Sequence, residues 1–229
     1  MTRNILLANG EYYHVFNRGV DKRQIFDDAI DYHRFIESLY LFNDVTFRNF
    51  GGDPLLRDTI LSSHEVFAQD RVPLVDIVSY CLMPNHFHLL LRQRQDDGVS
   101  KFLHKLGMGY AKYFNLRNNR KGSLFESTFG AKHVEHESHL IHLPRYIHFN
   151  ALDLFGIHWR GSRIENWERA FDVLARYRWS SHHEYMGFTN DLPIIDQDAV
   201  RDIFKDPADY STFLREWNGE NEIPSLSDV

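Results

Sequence analysis

Two apolar runs separated by three residues constrain this chain more than any other feature. Leu74 to Leu82 reads Leu-Val-Asp-Ile-Val-Ser-Tyr-Cys-Leu, His86 to Arg92 reads His-Phe-His-Leu-Leu-Leu-Arg, and Met83-Pro84-Asn85 lies between them. Strand-forming runs on either side of a turn predict a β-hairpin. Upstream, Glu11 to Arg18 carries aromatic and β-branched residues before Gly19 and predicts another strand. Asp27 to Asn43 places Ile30, Phe35, Ile36, Leu39, Tyr40 and Phe42 at helical spacing, with Asp27 or Asp28 as cap. Downstream, Val99 to Asn118 repeats the helical pattern through Phe102, Leu103, Leu106, Tyr110, Tyr113 and Phe114. Phe129 to Glu135 predicts a short strand. Ser138 to Leu152 predicts a helix in which Pro144 is tolerated only in the first turns.

The order strand, helix, strand, strand, helix, strand, helix describes an α+β domain: a ferredoxin-like antiparallel sheet with helices on one face. We expect it to span residues 1–155. The aperiodic stretch 45–72, with Gly51-Gly52-Asp53-Pro54, reads as an insertion. Residues 156–229 read as a C-terminal helical extension with an acidic tail, including one helix from Asp198 to about Trp217.

With 43% hydrophobic residues in 229, the chain can bury a sizeable core. No apolar stretch approaches the roughly 18–20 residues of a membrane span. The four-residue apolar run near the N-terminus is too short for a signal peptide. The single cysteine, Cys81, excludes an internal disulfide and any multi-cysteine metal site. The expectation is a soluble, cytoplasmic protein with no membrane partner. The net charge of -6 is unevenly spread. Lys101, Lys105, Lys112, Arg117, Arg120, Lys121 and Lys132 stand against Glu126 alone, whereas Asp191 to Val229 holds ten acids against three bases. A basic block beside an acidic tail is compatible with an anionic polymer meeting one region only.

His86-Phe87-His88 is the sharpest chemical signal. On a strand, residues i and i+2 share a face, so both imidazoles can converge on one cation while Phe87 packs behind them. With 14 histidines in the chain about one His-x-His pair is expected by chance, so the apolar strand around it matters more than the spacing. Tyr146 and Asn150 stand at i and i+4 on the predicted helix. A phenolate there can attack phosphorus, and an amide oxygen one turn away can join two imidazoles as a metal ligand. Tyr110 and Tyr113 are rival nucleophiles, although packing in the core or stacking on bases would also account for them. His133, His136, His139 and His142 cross a strand-to-helix junction and predict no four-histidine site. A phosphate-binding loop, His-Glu-x-x-His and Gly-x-Ser-x-Gly are all absent from the sequence.

These residues resemble a known family. Met83-Pro84-Asn85-His86-Phe87-His88-Leu89-Leu90 is similar to the His-hydrophobe-His strand of HUH-type single-tyrosine transposases, and more closely of the REP-associated tyrosine transposases. Tyr13-His14-Val15-Phe16-Asn17-Arg18-Gly19, Gly122-Ser123-Leu124-Phe125, Arg145-Tyr146-Ile147-His148-Phe149-Asn150 and Trp179-Ser180-Ser181-His182 follow in the family's order. The resemblance implies a metal-dependent single-stranded DNA endonuclease and strand transferase working through a 5′-phosphotyrosine. It implies Tyr146 as nucleophile, with His86, His88 and Asn150 as ligands of Mg²⁺ or Mn²⁺. It implies hairpin DNA of REP-like repeats as partner, with the protein acting as monomer or homodimer. Arg18 and the block Lys101, Lys105, Lys112, Arg117, Arg120, Lys121 and Lys132 are the candidate DNA contacts. Where the family's helix commonly continues Asn-Pro, Ala151 follows Asn150 here. Two alternatives remain at this stage: a non-cleaving DNA-binding protein of the same fold, and a metal phosphodiesterase using water.

Overall fold

A computed structural model describes residues 6–46 and 71–219. Most of the expected insertion (47–70) and the end of the acidic tail (220–229) lie outside the described residues. Strand β1 spans Tyr12–Arg18, β2 Val75–Met83, β3 His86–Gln93 and β4 Gly130–His133. The helices are α1 (Ala29–Phe42), α2 (Gly98–Arg117), α3 (Glu137–Asp153), α4 (Trp167–Arg176), α5 (His182–Tyr185), α6 (Gln197–Arg201) and α7 (Pro207–Arg215). No helix among the described residues is long and apolar enough to cross a membrane.

The sheet order is β2-β3-β1-β4, with every pair antiparallel. This is the expected α+β arrangement: β2 and β3 pair as the hairpin, and the helical crossovers α1 and α2 place the first strand inside the sheet. Asp28 is the cap of α1, its carboxylate accepting from Ile30 N–H at 3.0 Å. Register decides which side chains meet. Phe16 lies opposite His88 and Arg18 opposite His86, so one face carries His14, Phe16, Arg18, His86 and His88. The other face carries Tyr13, Val15, Phe87, Leu89 and Leu91. Against it lie both crossover helices, with the Phe35 ring 5.0 Å from Phe87 and 4.9 Å from Tyr110. Phe35 and Tyr110 are fully buried. Such a side chain stabilises the fold by about 1.5–3 kcal/mol relative to leaving it in water.

The two crossover helices lie on one face as expected; the third helix, α3, is added on the other. There Cys81 and the histidine pair leave an apolar strip for it to cover. Pro144 sits in the third turn of α3 rather than its first turns. It removes one N–H from the helical ladder, and the helix runs on because Leu143, Ile147 and Phe149 bury themselves on both sides of it. The single helix expected from Asp198 to Trp217 is two. Asp206 caps a new helix, accepting from Ala208 N–H and Asp209 N–H at 2.9 Å, and Pro207 takes its first turn.

The chain after residue 155 returns to the sheet. Leu82 N–H donates to Trp179 C=O at 2.9 Å and Ser181 N–H to Tyr80 C=O at 3.0 Å, so 179–181 runs along the outer edge of β2. Beneath it lies a closed chain of polar bonds. His182 Nδ1–H donates to Tyr210 Oη at 3.1 Å, and Tyr210 Oη–H donates to His148 Nδ1 at 2.7 Å. His148 Nε2–H donates to Ser181 Oγ at 2.7 Å, which also accepts Tyr80 N–H at 2.9 Å and points its own proton at Tyr80 C=O, 3.4 Å away. Each proton in this chain has an acceptor, so these buried groups cost little.

Candidate functional site

Strand alternation brings the His86 and His88 rings to 5.0 Å, edge to face. His14 on the neighbouring strand lies beside them, its Nε2 3.0 Å from His88 Nδ1. Helix α3 closes the group from above. The Tyr146 ring stands edge-on at 5.8 Å from both His14 and His88. Gly130 lets β4 approach, since a Cβ there would lie 2.4 Å from the Phe16 ring.

Asn150, one turn after Tyr146, has a fixed orientation. Its Nδ2 donates back to Tyr146 C=O at 2.8 Å, which turns Oδ1 outward to accept Arg160 Nη2–H at 2.8 Å. The Arg160 guanidinium also pairs with Asp153, lies 4.1 Å over the Trp159 ring and stands 5.8 Å from the Tyr146 ring. It comes from the segment after α3, not from the sheet.

Burial sets the protonation of the histidines. It pushes His86 down to about 4, with the charges of Arg18 and Arg160 adding to the effect. Burial does the same more strongly to His88, helped by His14, His86 and Arg160. His14 falls to about 3, by burial and then Lys132. All three are neutral at pH 7, the form that ligates a metal. His86 Nδ1–H donates to Asn85 Oδ1 at 2.7 Å, which leaves Nε2 with its lone pair. No group of three His, Cys, Asp or Glu side chains able to hold a metal ion by themselves occurs among the described residues. The donors on offer are therefore two imidazoles and the Asn150 amide oxygen, whose second lone pair remains beside its bond to Arg160. A set of two nitrogens and one oxygen fits a divalent cation that keeps further positions for oxygen ligands.

The structure thus gathers His86, His88 and Tyr146 on one face, with Asn150 one turn further along α3 and bonded to Arg160. Arg18 and Lys132 join them: Arg18 is opposite His86 but paired with Glu126 at 3.1 Å, and Lys132 is opposite His14. The remaining basic candidates are elsewhere. Lys101, Lys105, Lys112 and Arg117 belong to α2, behind the opposite face of the sheet. Lys101 and Lys105 donate to the carbonyls of Asp96 and Asp44, and Arg117 is held by Asp28 and Asp31 at 2.6 and 2.5 Å. Arg120 donates to Asn115 at 2.7 Å, and Lys121 is exposed in the loop before β4. The rival tyrosines lie in the same rear layer. Tyr110 is fully buried and donates to Ile25 C=O at 2.5 Å, while Tyr113 donates to Asp31 at 2.9 Å and is pushed up to about 12, chiefly by burial. His14 and Arg160 are the site residues that motif reading missed. His14 had a signal, the alternation His14, Phe16, Arg18 along a strand; Arg160 had none.

The family model described as "Transposase IS200 like" matches residues 64–150. That span contains β2, β3, α2, β4 and α3 up to Asn150. No curated protein matches the chain. The solved structure of a REP-associated tyrosine transposase bound to a REP hairpin is similar at a TM-score of 0.50 with 11% identity, covering 86% of this chain and 94% of that one. At that identity the likeness shows the fold.

Proposed function

We propose that this chain, whose residues 64–150 match the model of IS200-like transposases, is a divalent-metal-dependent transferase of single-stranded, hairpin-associated DNA. Tyr146 is the nucleophile, and His86, His88 and Asn150 hold Mg²⁺ or Mn²⁺. The observation that carries the reading is the Tyr146 ring, 5.8 Å from His88 on the face where the two strand histidines converge. Neither Tyr110 nor Tyr113 has a histidine for a ring neighbour there.

The bound cation supplies charge for the non-bridging oxygens of the scissile phosphate. The protein supplies the rest. Tyr146 Oη forms a bond to phosphorus as the phenol loses its proton, and the bond from phosphorus to the 3′-oxygen breaks. That oxygen takes up a proton and leaves as a 3′-hydroxyl. The tyrosyl phosphodiester conserves the bond energy, so the reverse attack rejoins DNA without ATP. Arg160 adds a fixed guanidinium beside the phenol, suited to a phosphate oxygen. Arg18 and Lys132 extend positive charge along the same face for the incoming strand.

The test is covalent trapping. Labelled single-stranded hairpin oligonucleotides from repeats flanking the gene are mixed with protein and Mg²⁺ or Mn²⁺ and run on a denaturing gel. A protein–DNA band lost in Tyr146→Phe and in His88→Ala is expected. Cleavage that survives Tyr146→Phe without an adduct would replace this reading with a water-using phosphodiesterase. Binding without cleavage on every hairpin would replace it with a non-cleaving DNA-binding protein.

A further inference from the structure

We infer that His14 is a positioning residue that fixes the tautomer of His88 for metal binding; the inference rests on the reading of His86 and His88 as ligands. Both rings are buried, with 1% exposure each, and His14 Nε2 lies 3.0 Å from His88 Nδ1. One hydrogen bond between two neutral imidazoles holds one proton, and its position decides what His88 can do. With the proton on His88 Nδ1, donated to His14, His88 Nε2 keeps its lone pair for a cation. With the proton on His14 Nε2, His88 carries its own proton on Nε2 and cannot ligate.

His86 shows the same logic with a simpler partner. Its Nδ1–H is held by the Asn85 side-chain oxygen, which is only an acceptor. His14 does for His88 what Asn85 does for His86. The two supports come from different places: one from the hairpin turn next to its ligand, the other from a strand 74 residues away in sequence. In that tautomer His14 carries its own proton on Nδ1, which is buried with no hydrogen-bond partner, so keeping this histidine has a cost that an apolar ring in its place would not carry. A ligand's outer nitrogen, in contrast, needs a fixed acceptor, and such partners contribute 10- to 100-fold in metal affinity.

Mn²⁺ binding to the full chain without DNA, followed by electron paramagnetic resonance, tests this. The site signal is defined as the part lost in His88→Ala. His14→Phe keeps the ring shape and removes the acceptor, and should weaken Mn²⁺ binding about 10- to 100-fold. His14→Gln returns an acceptor to the place of Nε2 and should bind within about threefold of wild type. Nitrogen-15 spectra of the wild-type protein with Mg²⁺ should show His88 protonated at Nδ1. Unchanged Mn²⁺ affinity in His14→Phe would overturn the inference and leave the metal reading standing, whereas His88 protonated at Nε2 with Mg²⁺ bound would overturn both the inference and His88 as a ligand. Absence of any Mn²⁺ site in wild type would overturn both.

Discussion

Tyr146 and His148 are two residues apart on α3 and so project about 200° from each other around the helix. Each faces a buried group of histidines, and the two groups differ in one respect. Around His148, the chain of His182, Tyr210, Ser181 and the Tyr80 backbone has a donor for every acceptor. Around Tyr146, His14 retains a nitrogen with no partner, and the group opens toward Arg160 and Asn150. Burial is the same in both: His14 and His182 are each pushed down to about 3, first by desolvation. Depth and depressed basicity therefore do not separate the two groups; the completeness of their hydrogen bonding does.

This contrast can be broken by experiment, most decisively with Tyr146→Phe. Adduct formation should vanish while folding stability changes by less than about 1 kcal/mol. A large loss of stability would move Tyr146 into the structural class.

Acidification should act on both groups alike. The folded-state values of His14, His148 and His182 lie below the unfolded value of 6.5. Their stabilisation is complete above that pH and is lost as pH falls toward the folded values, at about 1.4 kcal/mol per pH unit for each imidazole. Glu184 works in the opposite sense. Burial raises it from 4.5 to about 7, so its contribution is present below 4.5 and disappears as pH rises through 7. Between pH 4.5 and 6.5 it offsets about one histidine. Urea unfolding at pH 7 and pH 5 should show a net loss of several kcal/mol at the lower pH; equal stabilities would mean that these rings accept protons without unfolding.

Tyr210→Phe sharpens the comparison from the closed side. It leaves His148 Nδ1 without a donor and His182 Nδ1–H without an acceptor, and should cost about 1–3 kcal/mol. Mn²⁺ affinity should be unchanged, and a fall in it would mean that the closed group also sets the position of α3 over His86 and His88. The smallest effect is expected for Arg160→Ala: weaker hairpin-DNA binding, with the salt dependence reduced by about one phosphate contact. An unaltered salt slope would leave Arg160 only its bonds to Asn150 and Asp153.

The fold was legible in the sequence because its local patterns do not conflict with the sheet. The Met83-Pro84-Asn85 turn, the Asp28 cap and the helical spacing on either side give the element order directly. His86 with His88, and Tyr146 with Asn150, were legible for the same reason, since each pair lies within one element. His14 and His88 meet only through strand register, 74 residues apart, and Arg160 reaches Asn150 from an irregular segment with no period to read. The break before α7 was written in Asp206-Pro207, a cap followed by a first-turn proline, and the apolar spacing beyond it masked the signal. The position of Pro144 in the third turn is a case of burial outweighing propensity.

The two margins of the sheet have unequal prospects for self-association. An open strand edge is a template for pairing with another chain. Along β2 that template is already occupied by the protein's own residues 179–181. The margin at β4 is four residues long, carries Lys132 and His133, and has a glycine where the Phe16 ring crosses it. Short, charged and irregular edges resist fibril growth. The chain can thus keep a mostly apolar β-sheet without offering it to its neighbours.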